Sequence, residues 1–219
     1  VDPAPALEHP EVVDVLVAGD IPGPNLIGIL PPFDQPLLAS GEIRYEGESV
    51  ALVVARSREA AREAARQVRV EIEEWEPVLD PEQALQPEAR KIHPNGNLTF
   101  SKQLVKGDVE EAFGRCDVVV EGTYETSFQE HAYLEPEVVV AVPGGDGRVT
   151  IYASCQSPFH LRGHIAANLA VPASRVKVVQ ACTGGSFGGK DDVATEIGAL
   201  AAVAALRSAA PVMIAHDRA

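Results

Sequence analysis

The sequence predicts an α+β chain of two domains. Three observations carry this reading. Apolar runs of strand length recur in both halves, Ala-rich helical stretches lie between them, and a proline-rich segment near the middle separates regions of different composition. At 219 residues the chain can hold one large domain or two small ones, each with a real core.

The first region covers residues 1–88. Ile21–Gln35 is dense in Pro and Gly and reads as loop. Val50–Ala55 is an apolar run of strand length, and Ser57–Gln67, rich in Ala, Arg and Glu, reads as a helix with Ser57 as its N-cap. In Val68–Glu74 the residues Val68, Val70 and Ile72 alternate with charged ones, which predicts a half-buried strand. Asp80–Asn97 carries Pro81, Pro87, Pro94 and the turn pair Asn95-Gly96, and a linker is expected over 89–103.

The second region covers 104–219. It opens on a short helix, because Asp108 stands three residues before Glu111 in a capping-box-like pattern. A strand is expected over Asp117–Thr126. A hairpin of Val138–Val142 and Arg148–Ala153 turns through Gly144–Gly147. Ser157-Pro158 then starts a helix to about Leu169, with the hydroxyl capping free N–H groups and Pro in the first turn. Arg175–Gln180 reads as strand, Thr183–Asp191 as loop, Asp192–Arg207 as helix and Val212–Ala215 as a last strand. The helix is apolar nearly all round, so it should be buried, by more protein than the chain itself supplies.

Charge and cysteines narrow the function. Asp and Glu outnumber Lys and Arg 32 to 18, a net charge of −14, where a nucleic-acid binder would present a basic excess. Three cysteines with no Cys-x-x-Cys pair suit a reducing, cytoplasmic compartment and make neither a disulfide framework nor a zinc site. The longest apolar run, Val193–Leu206, is broken by Thr195 and Glu196 and is short of the ~20 residues that span a bilayer. No signal-peptide pattern opens the chain. It begins on Val1 and closes on a strand-like run, as expected of a piece of a longer protein.

The segment Gly184-Gly185-Ser186-Phe187-Gly188-Gly189-Lys190-Asp191 carries the chemistry. Four glycines permit positive φ and let another group approach the backbone closely. Exposed N–H groups ahead of a helix favour an anion or an oxo group. A plain turn needs fewer glycines. A phosphate-binding P-loop is nearly matched by Gly184-x4-Gly189-Lys190, but Asp191 stands where a magnesium-binding Ser or Thr is required, with Asp192 behind it. The dinucleotide pattern Gly-x-Gly-x-x-Gly is absent from the loop.

Gly-Gly-x-Phe-Gly-Gly-Lys followed by an acidic residue resembles the molybdopterin-domain loop of the molybdenum hydroxylases, the xanthine dehydrogenase and aldehyde oxidase family. Tyr152-Ala153-Ser154-Cys155-Gln156 is similar to the family's segment ending in a molybdenum-contacting Gln. Gln129–Glu137 resembles its Gln-Glu-His and Tyr-Leu-Glu stretch, and Gly107-Asp108-Val109 with Glu121–Tyr124 the start of its cofactor domain. His9-Pro10, Asp20-Ile21-Pro22 and Tyr45–Glu48 look like its α/β hammerhead domain. Order and spacing agree over nearly all of the chain.

The resemblance implies a hammerhead-like domain followed by the first part of a molybdopterin-binding domain. It implies a molybdenum–pterin cofactor contacted by Gln156, Phe187 and Gly188, with no residue of the chain bound directly to the metal. It puts Asp191 at the substrate-facing position, where purine-oxidising members carry Glu. It implies hydroxylation of an aldehyde or N-heterocycle with water-derived oxygen. The catalytic Glu is expected beyond these residues, and the remainder of the subunit and iron–sulfur and flavin domains or subunits are implied as partners. The 219 residues alone are therefore expected to be inactive, and a non-catalytic assembly module of such a complex is the alternative. His160 and His164, four apart, read as two partly exposed histidines rather than metal ligands. His131 reads as a structural hydrogen-bonding group, and Cys155 and Cys182 as small buried apolar residues.

Overall fold

The computed structural model describes residues 1–217. Its elements in chain order are α1 (Ala4–Leu7), β1 (Val12–Leu16), a 3-10 turn (Ala18–Asp20), β2 (Leu26–Ile27), β3 (Gln35–Pro36), β4 (Leu52–Ala55), α2 (Arg58–Ala65), α3 (Pro81–Ala84), α4 (Val109–Gly114), β5 (Val138–Pro143), β6 (Val149–Ala153), α5 (Pro158–Asn168), a second 3-10 turn (Ala173–Arg175), β7 (Val176–Gln180), α6 (Val193–Ser208) and β8 (Val212–Ala215). They fall into two units. Val1–Ile72 and His131–Ala219 form one, and Glu73–Glu130 the other.

In the first unit, β5 and β6 make the hairpin that the turn glycines predict, and the sheet runs β7–β6–β5–β8. β7 lies parallel to β6. Parallel neighbours need a crossover, and α5 supplies it. The hydroxyl of Ser157 does not cap α5, contrary to expectation, although Pro158 does hold the first position. α6 is buried along most of its length, from Ala194 to Ala205. Its partners are the chain's own β5, β6, β8, α5 and β1, so the burial needs no further protein. Gly198 lets α5 pack closely where it crosses: a Cβ there would come 2.8 Å from Leu161 Cδ1, and that buried side chain would have to shift.

The core does not divide at the proline-rich stretch. Leu16, Ile21, Ile27, Leu37, Leu38 and Val54 share one apolar cluster with Val139, Ile151, Ile165 and Val203. β1 pairs with β4, and α2 covers them through Ala60 and Ala64, its Ser57 cap accepting from Ala60 N–H at 3.2 Å. The loop expected over Ile21–Gln35 holds only the two-residue strands β2 and, at its end, β3. Arg207 at the end of α6 ties back to β1, its Nε 2.7 Å from Asp14 Oδ2.

The strand expected over Val68–Glu74 is not formed. Its backbone makes a single bridge, Asp2 to Arg69, and Ile72 is exposed. In the second unit, Asp117–Thr126 likewise forms no strand, with Val118, Val120 and Tyr124 exposed. Alternation specifies a strand's two faces, but a ladder also needs a neighbour, and none stands there among the described residues. Asp80 and Asp108 cap α3 and α4 at 2.8 and 2.9 Å. Asn97 closes the intervening loop with bonds to Ala84, Arg90 and Ile92, and the Arg90 guanidinium sits 3.2 Å above the Trp75 ring. No helix among the described residues is long and apolar enough to cross a membrane.

Asn168 fastens the early loop to the sheet unit. It is fully buried, its Nδ2 donates to Pro24 O at 2.6 Å and Leu26 O at 3.0 Å, and its backbone carbonyl accepts from Gly23 N–H at 2.7 Å. Asn168→Ala removes both of these part-buried side-chain hydrogen bonds, each worth about 0.5–1.5 kcal/mol, and should cost about 1–3 kcal/mol. Chemical denaturation would show it as a lowered midpoint with an unchanged slope. An unchanged midpoint would mean that the loop is held elsewhere.

Candidate functional site

The sheet register gathers three segments at one end. β6 and β7 run parallel and finish together at Ala153 and Gln180, and antiparallel β5 begins beside them, with Val139 opposite Ala153. The strap His131–Glu137 before β5, the turn Ser154–Gln156 after β6 and the glycine loop after β7 therefore meet. The carboxyl ends of parallel strands are where α/β sheets commonly place ligands.

Lys190 holds them. It is the largest side chain with no exposure at all. Its Nζ lies 3.3 Å from Glu135 Oε1, 3.2 Å from Ser154 Oγ and 4.8 Å from the centre of the Tyr133 ring. A buried ammonium is costly unless paired and hydrogen-bonded, and here one partner comes from the strap and one from the turn. The other Glu135 oxygen accepts from Gly184 N–H at the start of the loop. The Ser154 hydroxyl first, then Gly184 N–H and the Lys190 ammonium, hold the Glu135 carboxyl below its ordinary value against the opposing effect of burial. Tyr133 in turn donates its hydroxyl to Glu137.

The loop backbone is shaped by this clamp. Gly185, Phe187 and Gly188 have φ of +95°, +53° and +106°. Phe187 lacks glycine's freedom, and such a conformation costs on the order of 1–3 kcal/mol that its surroundings must offset. Gly189 is required by the strap: a Cβ would come 2.5 Å from Tyr133 Cε1 and 3.1 Å from the His131 ring. The N–H groups of Phe187 and Gly188 have no partner among the described residues, and the Phe187 ring is 77% exposed. Two successive backbone N–H groups without such a partner are available as donors to an anion.

Gln156, Phe187, Gly188 and Asp191 are brought together, as the sequence leads one to expect. Gln156 N–H donates to Lys190 O at 3.1 Å, and its side-chain oxygen accepts from the Ser186 hydroxyl. The side chain is exposed, and its Nε2 has no partner among the described residues. Asp191 is half-buried, with Oδ1 buried and unpartnered. Burial and then the Asp191 charge raise both the Asp192 carboxyl and the Cys155 thiol. Unclaimed N–H donors, a glycine surface without Cβ atoms and an orphaned carboxylate oxygen fit an oxo-bearing cofactor with a substrate beside it.

Lys190, Glu135, Ser154 and Ser186 escaped the sequence reading. The signal was a lone Lys among glycines, together with the acidic Tyr133–Glu137 segment. Neither reveals burial. The same finding removes the P-loop reading, because an ammonium with no exposure and three protein partners cannot reach a phosphate.

The other candidates differ from expectation. His164 is buried rather than partly exposed, and its Nε2 is 3.0 Å from His160 Nε2. Burial, then His160, lowers the His164 value. No group of three metal-binding side chains occurs among the described residues. His131 lies against Gly188 and Gly189 as a packing ring. Cys155 is buried as expected, but Cys182 is exposed.

Residues 92–219 match the family model of the molybdopterin cofactor-binding domain, and 1–76 that of the aldehyde oxidase and xanthine dehydrogenase a/b hammerhead domain. The chain is 41% identical over 204 residues to the probable D subunit of a xanthine dehydrogenase from Bacillus subtilis (strain 168), covering 93% of this chain and 27% of that protein. It is 39% identical over 176 residues to the nicotinate dehydrogenase large molybdopterin subunit of Eubacterium barkeri, covering 80% of this chain and 41% of that one. The aldehyde oxidoreductase structure from Desulfovibrio gigas superposes with a TM-score of 0.88 at 32% identity, over 99% of this chain and 25% of its own. The chain thus spans about a quarter to two-fifths of these relatives.

The clamp predicts an asymmetry. Glu135→Ala strands a buried ammonium and should destabilise by about 3 kcal/mol, the low end for an unpaired buried charge because Ser154 and Tyr133 remain. Lys190→Met removes the charge and keeps the volume, leaving Glu135 to solvent, and should cost less than about half as much. Equal losses on denaturation, or a larger one for Lys190→Met, would show that the ammonium is not what needs the partner.

Proposed function

This chain belongs to the molybdenum hydroxylase family of xanthine dehydrogenases and aldehyde oxidases, and from that premise we propose that its glycine loop and Gln156 form one wall of a molybdenum–pterin site in an enzyme that hydroxylates an aldehyde or N-heterocycle. The single observation that carries the reading is that Gln156 is hydrogen-bonded, through Ser186 and Lys190 O, to the same loop that carries the unpartnered N–H groups of Phe187 and Gly188 and is fixed by buried Lys190.

Gln156, Phe187 and Gly188 hold and orient the cofactor through neutral N–H donors, which suit an oxo group without adding charge. Held by these residues, a molybdenum–pterin group would supply the two-electron oxidation, in which a C–H bond is replaced by C–OH with oxygen from water and two protons are released. The exposed Phe187 ring walls the ligand side of the loop. Asp191 faces substrate: the residue is half-buried, and no donor among the described residues claims its buried Oδ1, which a ring N–H would have to enter the site to reach. None of these residues is the acid–base catalyst of the reaction. Electrons leave through iron–sulfur and flavin groups on partner domains or subunits. The Bacillus and Eubacterium relatives, each named as one subunit of its enzyme, support a divided assembly of that kind.

Asp191→Asn in the intact enzyme tests the reading. Molybdenum content should stay at the parent's level while kcat/KM for N-heterocycles bearing ring N–H groups falls about tenfold to a hundredfold, as for loss of a buried hydrogen bond to a charged group. Aldehydes should change by no more than about twofold, having no N–H to offer the carboxylate. Loss of metal, or an equal fall for every substrate, would show that Asp191 supports the loop rather than reading the ligand.

A further inference from the structure

The loop pattern Gly-Gly-x-Phe-Gly-Gly-Lys leaves one position open, and this chain fills it with Ser186. The side chain is buried. Its Oγ accepts from Lys190 N–H at 3.2 Å and donates to Gln156 Oε1. A backbone N–H can only donate, so it claims one of the hydroxyl's two lone pairs, and the single hydroxyl proton is given to Gln156 Oε1. That proton needs an acceptor, which places the oxygen of the Gln156 amide on the Ser186 side and its NH₂ on the other. The Gln156 main chain is tied to the same loop through Lys190 O at 3.1 Å, so the side chain starts from a fixed point.

We propose that Ser186 is a positioning residue that sets which face of the Gln156 amide meets the ligand, so that N–H donors rather than a carbonyl oxygen are presented. This rests on the reading of Gln156 as a contact to the molybdenum–pterin group. The two ends of an amide are alike in shape and opposite in hydrogen bonding. Without the hydroxyl proton the amide can turn over, and its oxygen then opposes an oxo group. Alanine at 186 removes that control and also frees Lys190 N–H. Threonine keeps the hydroxyl.

The test uses the intact, cofactor-loaded enzyme with Ser186→Ala, Ser186→Thr, Gln156→Ala and the double variant Ser186→Ala/Gln156→Ala. Molybdenum content, the molybdenum(V) paramagnetic resonance spectrum and steady-state kinetics are measured on each. Ser186→Ala should keep its molybdenum, shift the spectrum and lower kcat about fivefold to tenfold with KM little changed, the scale of one neutral hydrogen bond. Ser186→Thr should restore the parent spectrum. Gln156→Ala should shift the spectrum by itself, and adding Ser186→Ala to it should change nothing further. If Gln156→Ala shifts the spectrum and Ser186→Ala does not, this inference is wrong while the reading of the site stands. If Gln156→Ala leaves spectrum and rate untouched, the reading of the site is wrong and the inference goes with it. If Ser186→Ala loses molybdenum equally with and without Gln156, Ser186 merely supports the loop and the proposal falls.

Discussion

The Lys190 ammonium has no water to turn to, and the arrangement around it follows from that. A positive charge with no exposure requires a carboxylate, a hydroxyl and a ring face, and Glu135, Ser154 and Tyr133 supply them from two segments remote in sequence from the loop. Because Glu135 also holds Gly184 N–H, the pair fixes the loop at both its start and its end. Between those points the chain can keep Phe187 and Gly188 in left-handed conformations, with their N–H groups turned away from internal partners. A loop so held has its donors in place before a ligand arrives, which removes ordering cost from binding.

Much of this was legible. The hairpin β5–β6, the Ala-rich α6 and β8 each announce themselves through turn residues, periodicity or a compact apolar run. Gln156, Phe187, Gly188 and Asp191 came from a loop pattern and a second segment similar to the family's. Local patterns did not reveal pairing. Val68–Glu74 alternates and Asp117–Thr126 carries a β-branched run, yet the first makes a single bridge and the second pairs with no strand among the described residues, because a favourable pattern is a property of one segment and a ladder is a property of two. Nor did they reveal burial of polar groups. In the sequence Lys190 is only the last member of a glycine pattern, and the tertiary meeting of strap, turn and loop makes it the centre of the site.

The same limit applies to the core. A proline-rich stretch suggests a boundary over 89–103, whereas the compact unit set apart is the longer segment Glu73–Glu130. Yet Leu16, Ile27 and Leu38 pack into one cluster with Ile151 and Val203. Buried Asn168 does the polar part of that joining at the end of α5, and the ion pairs of Arg207 with Asp14 and Asp20 do it at the end of α6. The platform on which β6 and β7 present the loop is therefore built partly from the first 72 residues. Its rigidity, on which a preorganised loop depends, draws on both ends of the sequence.

Residue-resolved amide hydrogen exchange on the intact enzyme, cofactor-loaded against cofactor-free, tests most directly whether the clamped loop offers its free N–H groups to a ligand. Gly184 and Gly189–Asp191, already bonded to Glu135 and to the loop itself, should be protected in both forms. Phe187 and Gly188 should exchange freely without cofactor and become protected by at least about tenfold with it, as for donors that gain a hydrogen bond. Equal exchange at Phe187 and Gly188 in the two forms, or a loop that gains protection along its whole length on loading, would contradict a preorganised site.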